Sequence, residues 1–282
     1  MSGTLYVVAT PIGNLEDITL RALQVLREVD LIACEDTRRT MKLLTHYQID
    51  KPRISYHEHN EMEKASNLLT ELQNGRQIAL VSDAGTPCIS DPGYRIVRKA
   101  LENGIHVVPI PGPCSFTAAL SASGRPTDSF VFLGFLPARR NPRGAILNSL
   151  KEELRTVIVF ESPLRLLGTL ADIQEILGPR LITVAREITK IYEEIFFGTV
   201  AEALIHFSKK SVKGEIVLIL EKEHLPETTP NLPDKERIEG KTKELMERLG
   251  MTKNEALKEL AIQYRIPKRT LYKILLDSTD KE

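Results

Sequence analysis

Three short loops combine glycine and proline with small side chains, and each directly follows an apolar run. They are ATPIGN (9–14), SDAGTP (82–87) and PIPGPCS (109–115). Such loops leave backbone N–H and C=O groups free, and they let a ligand approach closely because no bulky side chain stands in the way. One loop of this kind is an ordinary turn between a strand and a helix. Three together favour a shared binding cleft.

The motifs that usually bind nucleotides in such loops are missing. No two of the 16 glycines stand two residues apart, which excludes GxGxxG, and no pair has the spacing of GxxxxGK. The hydrolase pattern GxSxG and the metalloprotease pattern HExxH are absent as well. The loops therefore predict a ligand site of a different type.

Apolar, β-rich runs alternate with helical patterns over the first half of the chain. The runs are TLYVVAT (4–10), DLIACE (30–35), QIALVSD (77–83), HVVPIPG (106–112) and FVFLGF (130–135). Strands that alternate with helices predict an α/β fold with a parallel sheet covered on both faces. Each of the three loops then lies at the carboxyl end of a strand, where α/β proteins normally bind their ligands.

The second half has a different organisation. PARRNPR (137–143) is typical of an exposed connection. After it, TVIVFES (156–162), RLITVARE (180–187), EEIFFGTV (193–200) and GEIVLILE (214–221) predict a mixed, partly antiparallel sheet. HLPETTPNLPD (224–234) contains three prolines and is typical of a linker. We therefore expect an α/β domain at 1–136, a second α/β domain at 137–223, a linker at 224–234 and a helical, helix-turn-helix-like domain at 235–282.

Charge and composition narrow the class of protein. The 38 basic and 38 acidic residues give a net charge of zero, so only local patches can recognise a polyanion. Cys34, Cys88 and Cys114 form no CxxC pair, and we expect neither a disulfide framework nor a zinc site. MSGTLYVVAT lacks the features of a signal peptide, and no stretch approaches the length of a membrane span. These features predict a cytoplasmic protein.

Five segments taken together resemble the tetrapyrrole methylase superfamily. They are TPIGN after the first predicted strand, VSDAGTPCISDPG after the third, PIPGPCSFTAAL after the fourth, and then FESPLRL and VAREITK. Within the superfamily they are similar to the branch that methylates the 2′-oxygen of a cytidine ribose in small-subunit (16S) ribosomal RNA. The resemblance implies two α/β domains of the tetrapyrrole methylase type with S-adenosylmethionine (SAM) in the cleft between them, plus the small C-terminal helical domain, and a homodimer.

The resemblance also implies which residues contact the methyl donor. Those in the first domain are Pro11, Asp83, Ala84, Gly85, Thr86, Ile89, Cys114 and Ser115, and those in the second are Ser162, Ala185 and Glu215. Porphyrin-methylating relatives carry Gly-Asp-Pro where this chain has Ala-Gly-Thr-Pro (84–87), so a carboxylate contact is lost and a hydroxyl or the backbone must replace it. VSDAGTPCIS and PIPGPCS contain no basic residue, which suits a sulfonium cation.

Methyl transfer to a ribose hydroxyl requires alignment of the acceptor oxygen and removal of its proton. Candidates for the proton acceptor follow predicted strands: Glu35 and Asp36 in CEDTRRT, Glu161 in FESP, and Glu187 with Lys190 in VAREITK. Each is individually also typical of a solvated or salt-bridged surface carboxylate. Glu161 stands out because it directly follows VIVF. The residues alone do not select the base.

Four basic or His-containing patches fit an RNA substrate. The residues are Arg38, Arg39, Lys42, His57, His59, Arg139, Arg140, Arg143, Lys268, Arg269 and Lys273. His57 and His59 would share one face of an extended segment, but no third metal ligand is evident, so we expect no metal there. The last three residues belong to a basic helix that follows a short turn, an arrangement typical of a helix-turn-helix. A small packing domain with a solvated face is the alternative.

Two other functions remain open at this point. The same scaffold can methylate a tetrapyrrole or another small acceptor, although the Arg clusters and the appended basic helices argue against this. The second alternative is a helix-turn-helix regulator that senses SAM. The favoured hypothesis is a SAM-dependent 2′-O-methyltransferase whose partner is small-subunit ribosomal RNA or the 30S subunit, with no membrane association.

Overall fold

A computed structural model describes residues 2–221, 235–264 and 268–276. The chain forms two compact units, Met1–Glu223 and His224–Glu282. The predicted linker at 224–234 lies outside the described residues. No helix in the described ranges is long and apolar enough to cross a membrane.

The first unit begins with a five-stranded parallel sheet, as the alternating pattern predicts. Its strands are β1 (Thr4–Val8), β2 (Leu31–Cys34), β3 (Arg53–Ser55), β4 (Ile78–Val81) and β5 (His106–Ile110), in the order β3-β2-β4-β1-β5. The connecting helices are α1 (Leu20–Glu28), α2 (Thr37–His46), α3 (Glu61–Gln73) and α4 (Tyr94–Glu102), followed by α5 (Ser115–Ser121). The sequence analysis misses β3, because three residues are too few to show a period.

The first sheet is buried on both faces. One apolar cluster includes Val8, Ile32 and Val81 and is covered by α1 and α2. A second cluster, on the other face, includes Leu5 and Leu80 and is covered by α3 and α4. The carboxyl ends of β1, β2, β4 and β5 are thereby fixed at one edge of the sheet, where their loops meet.

The second sheet is mixed, again as predicted. Its strands are β6 (Phe130–Phe135), β7 (Thr156–Glu161), β8 (Leu181–Arg186), β9 (Glu194–Thr199) and β10 (Ile216–Leu220), in the order β6-β7-β10-β8-β9. Only β6 and β7 pair in parallel. The helices are α6 (Arg140–Ser149), α7 (Leu166–Leu177) and α8 (Val200–Ser208).

Strand β6 corrects the sequence analysis. It was expected to belong to the first half of the chain, but it pairs with β7 in the second sheet. The chain therefore passes from one sheet to the other between residues 110 and 130, ahead of the expected boundary at 136. The physical reason lies in α5, whose Ala119 and Leu120 pack against Ile158 and Val217 of the second sheet. The helix that follows β5 thus carries the chain across.

The C-terminal unit consists, in its described part, of α9 (Lys235–Leu249), α10 (Lys253–Gln263) and α11 (Lys268–Leu276). Its core is formed by Ile238, Leu257, Leu260 and Leu271. This unit confirms the small helical domain that the sequence pattern predicts, and it has a hydrophobic core of its own.

Candidate functional site

A cavity of about 390 Å³ lies in the first unit where the two sheets meet. The first sheet contributes the loops that follow β1, β2, β4 and β5. The second sheet contributes the ends of β6 and β7, the residue Ile188 after β8, and the start of β10. All three Gly/Pro loops that the sequence analysis selects therefore contribute to one cavity.

A backbone bridge fixes two of these loops to each other. Thr10 N–H donates to the Gly85 carbonyl at 2.9 Å, and Gly85 N–H donates to the Thr10 carbonyl at 3.0 Å. The Thr10 hydroxyl adds a bond to the Ser82 carbonyl at 3.2 Å. The sequence analysis expected free backbone groups in all three loops, but those of Thr10 and Gly85 are used to hold the loops together.

Gly85 and Thr86 shape the floor of the cavity. Gly85 has a φ of +88°, and a Cβ there would stand 3.3 Å from Ile12 Cγ2 and 3.7 Å from the Pro113 carbonyl oxygen. The Thr86 hydroxyl donates to that same carbonyl at 3.1 Å. The hydroxyl expected to replace a lost carboxylate contact thus joins the loops after β4 and β5.

Strained backbone borders the cavity in two loops. Four of the five described non-glycine residues with positive φ lie there: Cys88 (+70°) and Ser90 (+61°) after β4, and Glu187 (+52°) and Thr189 (+68°) after β8. Such conformations cost about 1–3 kcal/mol each, and they cluster at ligand sites where the surrounding structure enforces them. The strain supports the cavity as a functional site.

The loops after β1 and β8 contact each other directly. The Thr189 hydroxyl accepts a hydrogen bond from Asn14 N–H at 3.1 Å. A Cβ on Gly13 would stand only 2.7 Å from the Thr189 hydroxyl and 3.1 Å from the Ile188 carbonyl oxygen. Gly13 is therefore required for this close approach, which lies next to the lining residues Ile12 and Ile188.

Glu161 lies at the end of β7 with its side chain almost fully buried. It accepts hydrogen bonds from Ser162 N–H at 2.7 Å and from the Thr169 hydroxyl at 2.5 Å, and it pairs with the Arg165 guanidinium at 2.7 Å. These three partners occupy both carboxylate oxygens. The structure therefore makes Glu161 a positioning residue in the lining rather than a free base.

Glu187 and Lys190 form an ion-pair network beside the cavity. The Lys190 ammonium contacts Glu187 at 2.8 Å and Glu215 at 3.1 Å. Burial alone would raise the pKa of Glu187, but the Lys190 ammonium and the Glu215 N–H outweigh it and lower that pKa. A carboxylate held in this way is a weak proton acceptor. Only Glu215 of the three lines the cavity.

The cavity is acidic. Its lining contains five carboxylates (Glu35, Asp83, Asp91, Glu161 and Glu215) and the single guanidinium of Arg39. This excess of negative charge suits a cationic ligand and disfavours a polyphosphate.

Asp36 and Asp83 are both committed to fixed partners. Asp36 caps α2 and is bonded to the side chain and backbone of Arg38, which lowers its pKa to about 2. Its own N–H donates to Asp83 at 2.9 Å, and Asp83 also faces Arg39 at 3.4 Å. Asp36 does not line the cavity, so its candidacy as a base has no support in this geometry.

Two acidic residues in the lining hold their protons unusually strongly. Burial, followed by the nearby Asp83 carboxylate, raises the pKa of Glu35. Burial, followed by the charge of Glu35, raises the pKa of Asp91 to about 7. Groups with strongly shifted pKa values in a cavity are typical of functional sites.

Nine of the eleven residues predicted to contact the donor line the cavity. They are Asp83, Ala84, Gly85, Thr86, Ile89, Cys114, Ser115, Ser162 and Glu215. The other two, Pro11 and Ala185, do not; Ala185 is fully buried in the core between α5 and the second sheet. Contact between these residues and a donor stays a prediction.

The sequence analysis missed several lining residues. Phe135 ends β6, and Phe160 lies near the end of its parallel neighbour β7, so both reach the cavity. The sequence pattern places β6 with the first sheet, and from that placement neither residue is expected in the lining. Asp91 belongs to the quoted loop VSDAGTPCISDPG but was not selected. The sequence does contain a signal for Asp91: it lies between two prolines of this loop, which hold its acidic side chain close to the strand ends.

The predicted RNA-binding residues have different environments. Arg38, Arg39, Lys42, His59 and Arg139 are exposed, and Arg39 also lines the cavity. His57 is partly buried, and its ring contacts the Asn60 amide at 3.1 Å. In the C-terminal unit Arg269 is exposed, whereas the side chains of Lys268 and Lys273 lie outside the described part.

Arg143 corrects the prediction of an exposed Arg cluster. Its side chain is only 9% exposed, and its guanidinium pairs with Asp172 at 2.6 Å and donates to the Ala138 carbonyl at 3.1 Å. The cause is α6, which begins at Arg140 and turns Arg143 toward α7. Arg140 is exposed but also pairs with Asp172 and with Glu175. Of the three, only Arg139 forms no ion pair within the described residues.

Comparison with known proteins adds the family. The sequence model of the tetrapyrrole (corrin/porphyrin) methylases matches residues 4–204. A "ribosomal RNA small subunit methyltransferase I" from Synechocystis is 48% identical over 276 residues, which is 98% of each chain. The protein of that name from Thermotoga maritima is 53% identical over 218 residues, which is 77% of this chain and 98% of its own. The one from Escherichia coli O157:H7 is 53% identical, covering 78% of each chain.

Solved structures share the fold. A cobalt precorrin-4 methyltransferase superposes with a TM-score of 0.59 and 16% identity, over 77% of this chain and 94% of its own. A uroporphyrin-III C-methyltransferase from Thermus thermophilus, in complex with S-adenosylhomocysteine, superposes with a TM-score of 0.55 and 18% identity, over 78% of this chain and 98% of its own. The profile match and the close relatives show that this chain belongs to the tetrapyrrole methylase family, in the group of ribosomal RNA small subunit methyltransferase I proteins.

Proposed function

We propose that this protein transfers a methyl group from SAM to the 2′-oxygen of a cytidine ribose in small-subunit ribosomal RNA. The observation that carries the proposal is the acidic cavity between the two sheets, in a chain about half identical to curated ribosomal RNA methyltransferases. The identity supports the substrate class, and the cavity supports a cationic methyl donor.

The cavity fits the donor in size and in chemistry. A volume of about 390 Å³ is within the usual range for small-molecule sites. SAM supplies a methyl group bound to a positively charged sulfur. The five carboxyl groups outnumber the three basic side chains that pair with them, Arg39, Arg165 and Lys190, and this favours a cation. The missing Cβ of Gly85 leaves the floor of the cavity open for close contact.

The chain's own residues would bind and orient the two reactants. The Thr10–Gly85 bridge and the bond from Thr86 to Pro113 fix three loops against one another, so the donor meets preformed walls. The Asn14–Thr189 hydrogen bond ties the loop after β1 to the loop after β8, so the two sheets are held together next to the cavity. Methyl transfer depends on alignment of this kind, because the acceptor oxygen must approach in line with the bond that breaks.

The RNA would approach along the exposed basic residues near the cavity. Arg39 lies in the lining itself, and Arg38 and Lys42 are exposed on the same helix. Arg139 lies at the start of α6, four residues after the lining residue Phe135. Guanidinium groups at these positions can contact phosphates on either side of the target nucleotide. The C-terminal unit, with exposed Arg269, is proposed to extend this contact.

A homodimer and a cytoplasmic location complete the proposal. Strand β9 is the last strand of the second sheet in the described chain, and Ile195 and Phe197 on it are exposed, as are Ile191 and Tyr192 just before it. An apolar edge strand of this kind is normally covered by a partner, and a second copy of the chain is the occupant we propose. Light scattering of Phe197→Lys beside the unchanged protein tests this, since the substitution should shift a dimer toward the monomer.

Turnover of methyl-labelled SAM tests the activity. We expect label to enter RNA when purified small ribosomal subunits are added, and nuclease mapping should place it at one site. Transfer to a tetrapyrrole but not to subunits would favour a small-acceptor methyltransferase. Tight SAM binding without transfer to either would favour a regulator that senses SAM.

A further inference from the structure

We propose that Asp91 is the proton acceptor for the hydroxyl that is methylated. The inference rests on the proposed function and adds a catalytic residue to it. A proton acceptor must face the cavity and must have an oxygen free to take a proton, and five carboxylates line the cavity.

Three of the five carboxylates are committed to other groups. Glu161 is held by Ser162, Thr169 and Arg165. Asp83 accepts the N–H of Asp36 and faces the guanidinium of Arg39.

Glu215 is the third, since it pairs with the Lys190 ammonium at 3.1 Å. In each of the three, oxygens are already engaged by these partners and are not free to accept the proton of a substrate. Glu35 and Asp91 remain.

Asp91 is the better placed of the two. Among the described residues it has no basic partner, and the Ser82 hydroxyl, the neighbour that lowers the pKa of Asp91, also donates to the Gly85 carbonyl at 3.2 Å. Glu35, in contrast, accepts the Asp83 N–H and lies in the field of Arg39 and His57. Asp91 therefore keeps an oxygen free for a ligand, and no basic side chain of the described residues forms an ion pair with it; Arg39, which also lines the cavity, pairs with Asp83.

The charges around Asp91 favour the same role. Three carboxylates repel the negative form of Asp91: Glu35 after β2, Asp83 in the same loop, and Glu215 just before β10. The Cys88 thiol also lies nearby. Burial and these charges bring the pKa of Asp91 to about 7. A carboxyl with a pKa near the working pH is a much stronger base than an ordinary aspartate.

The O–H bond of the ribose hydroxyl breaks, and its proton passes to a carboxylate oxygen of Asp91. The ribose oxygen forms a bond to the methyl carbon, while the bond between that carbon and sulfur breaks with its electron pair kept by sulfur. The proton on Asp91 is lost to solvent before the next turnover. No further reactant is needed.

The test compares Asp91→Asn with Glu35→Gln, using small subunits and labelled SAM. Loss of general-base help should lower kcat by about 10²–10⁴-fold for Asp91→Asn, while calorimetry still detects SAM binding. Glu35→Gln should lose less activity than Asp91→Asn, because Asp91 still accepts the proton. Asp50→Asn, at an exposed position before β3 and outside the cavity lining, is the matched control and should keep the full activity. Asp91→Glu, which retains the carboxylate, should recover part of the rate that Asn loses.

A pH profile separates catalysis from a structural role. For the unchanged enzyme, kcat/KM should fall on the acid side of the pKa of about 7, by about tenfold per pH unit. Asp91→Asn should lack this dependence. Glu35→Gln should move it to lower pH, because one repelling charge is gone.

Two results with the variants would overturn the assignment of Asp91 while leaving the proposed function intact. Asp91→Asn with the rate and pH profile of the unchanged enzyme would exclude Asp91. Loss of activity in Glu35→Gln but not in Asp91→Asn would assign the proton to Glu35. An unchanged enzyme that transfers no methyl group to subunits would instead refute the proposed function, and the inference with it.

Discussion

Thr10 and Gly85 exchange both of their backbone hydrogen bonds, at 2.9 and 3.0 Å, and so join the loop after β1 to the loop after β4. The pair places the open side of Gly85 next to Ile12 at the cavity. The cavity's shape therefore depends on a residue without a side chain, and substitutions there provide a first test.

Gly85→Ala should weaken SAM binding, and Gly85→Arg should abolish it by placing a cation in a cation site. Gly104→Ala is the matched control. Gly104 also has a positive φ (+68°), but nothing lies within 4 Å of an added Cβ. Both Ala variants should lose about 1 kcal/mol of stability through backbone strain, whereas only the Gly85 variants should lose donor affinity in calorimetry. A folded Gly85→Arg with unchanged SAM affinity would show that the donor binds elsewhere.

Asp91→Asn should make the first unit more stable at pH 8. The folded-state pKa of Asp91 is raised from 3.8 to about 7. Stability from this group is therefore complete below about pH 3.8 and is lost as the pH rises through about 7. Because solvent screens part of the repulsion at this partly exposed group, removing the charge should restore about 1 kcal/mol at pH 8, or about 2–4 °C in melting temperature.

Melting curves of both proteins at pH 8 and pH 5 check the sign of this effect. The gain from Asp91→Asn should be larger at pH 8 than at pH 5. An equal gain, or a loss that is the same at both values, would mean that the charge of Asp91 is not repelled in the folded protein. Glu58→Gln, at an exposed position, should show no such difference.

Arg139→Gln should weaken RNA binding while SAM binding stays intact. Arg139 is exposed and unpaired in the described chain, unlike Arg140, which holds Asp172 and Glu175. Loss of one phosphate contact should reduce the slope of log K against log salt by about one unit. Lys151→Gln, at an exposed position after α6, is the charge-matched control. An unchanged slope for Arg139→Gln would make this residue an ordinary solvated side chain.

The sequence predicts much of the fold because its signals there are local. Alternation of strands and helices gives the parallel sheet, and the dense apolar runs after residue 156 give the mixed one. The Gly/Pro loops identify the cavity edge, since Gly85 and its neighbours lie at strand ends. What local patterns do not show is which sheet a strand joins. FVFLGF follows a helix as the earlier strands do, yet α5 packs on the second sheet and brings β6 to β7.

The chemistry of individual carboxylates depended on distant partners and was therefore less predictable. The position of Glu161 directly after VIVF suggests a base, but in the folded chain its oxygens are bound by Arg165 and Thr169. Arg143 looks exposed within PARRNPR, but it pairs with Asp172, 29 residues away. Asp91 gains its high pKa from burial and from Glu35, on a different strand end. Such pairings arise only when the chain is folded.

Removal of residues 224–282 should leave a folded core that binds SAM but methylates subunits poorly. The first unit, Met1–Glu223, contains both sheets and their hydrophobic clusters, and the Thermotoga relative matches over 218 residues, close to that length. If the helices bind RNA, their loss removes binding energy remote from the reacting atoms, which raises KM and lowers the rate.

Donor affinity, melting temperature and methylation rate of the two forms decide this point. Full activity of the shortened chain at limiting subunit concentration would show that the helices are not an RNA-binding domain. A shortened chain that fails to bind SAM would contradict the independence of the first unit.

The central claim is that the donor in this cavity methylates a ribose oxygen. The most direct measurement is digestion of enzyme-treated small subunits, with mass spectrometry of the labelled nucleoside. A 2′-O-methyl group blocks alkaline cleavage of the adjoining phosphodiester, because the attacking hydroxyl is gone. We predict label in 2′-O-methylcytidine, within one alkali-resistant dinucleotide. Label on a base, or in no nucleoside at all, would contradict the account.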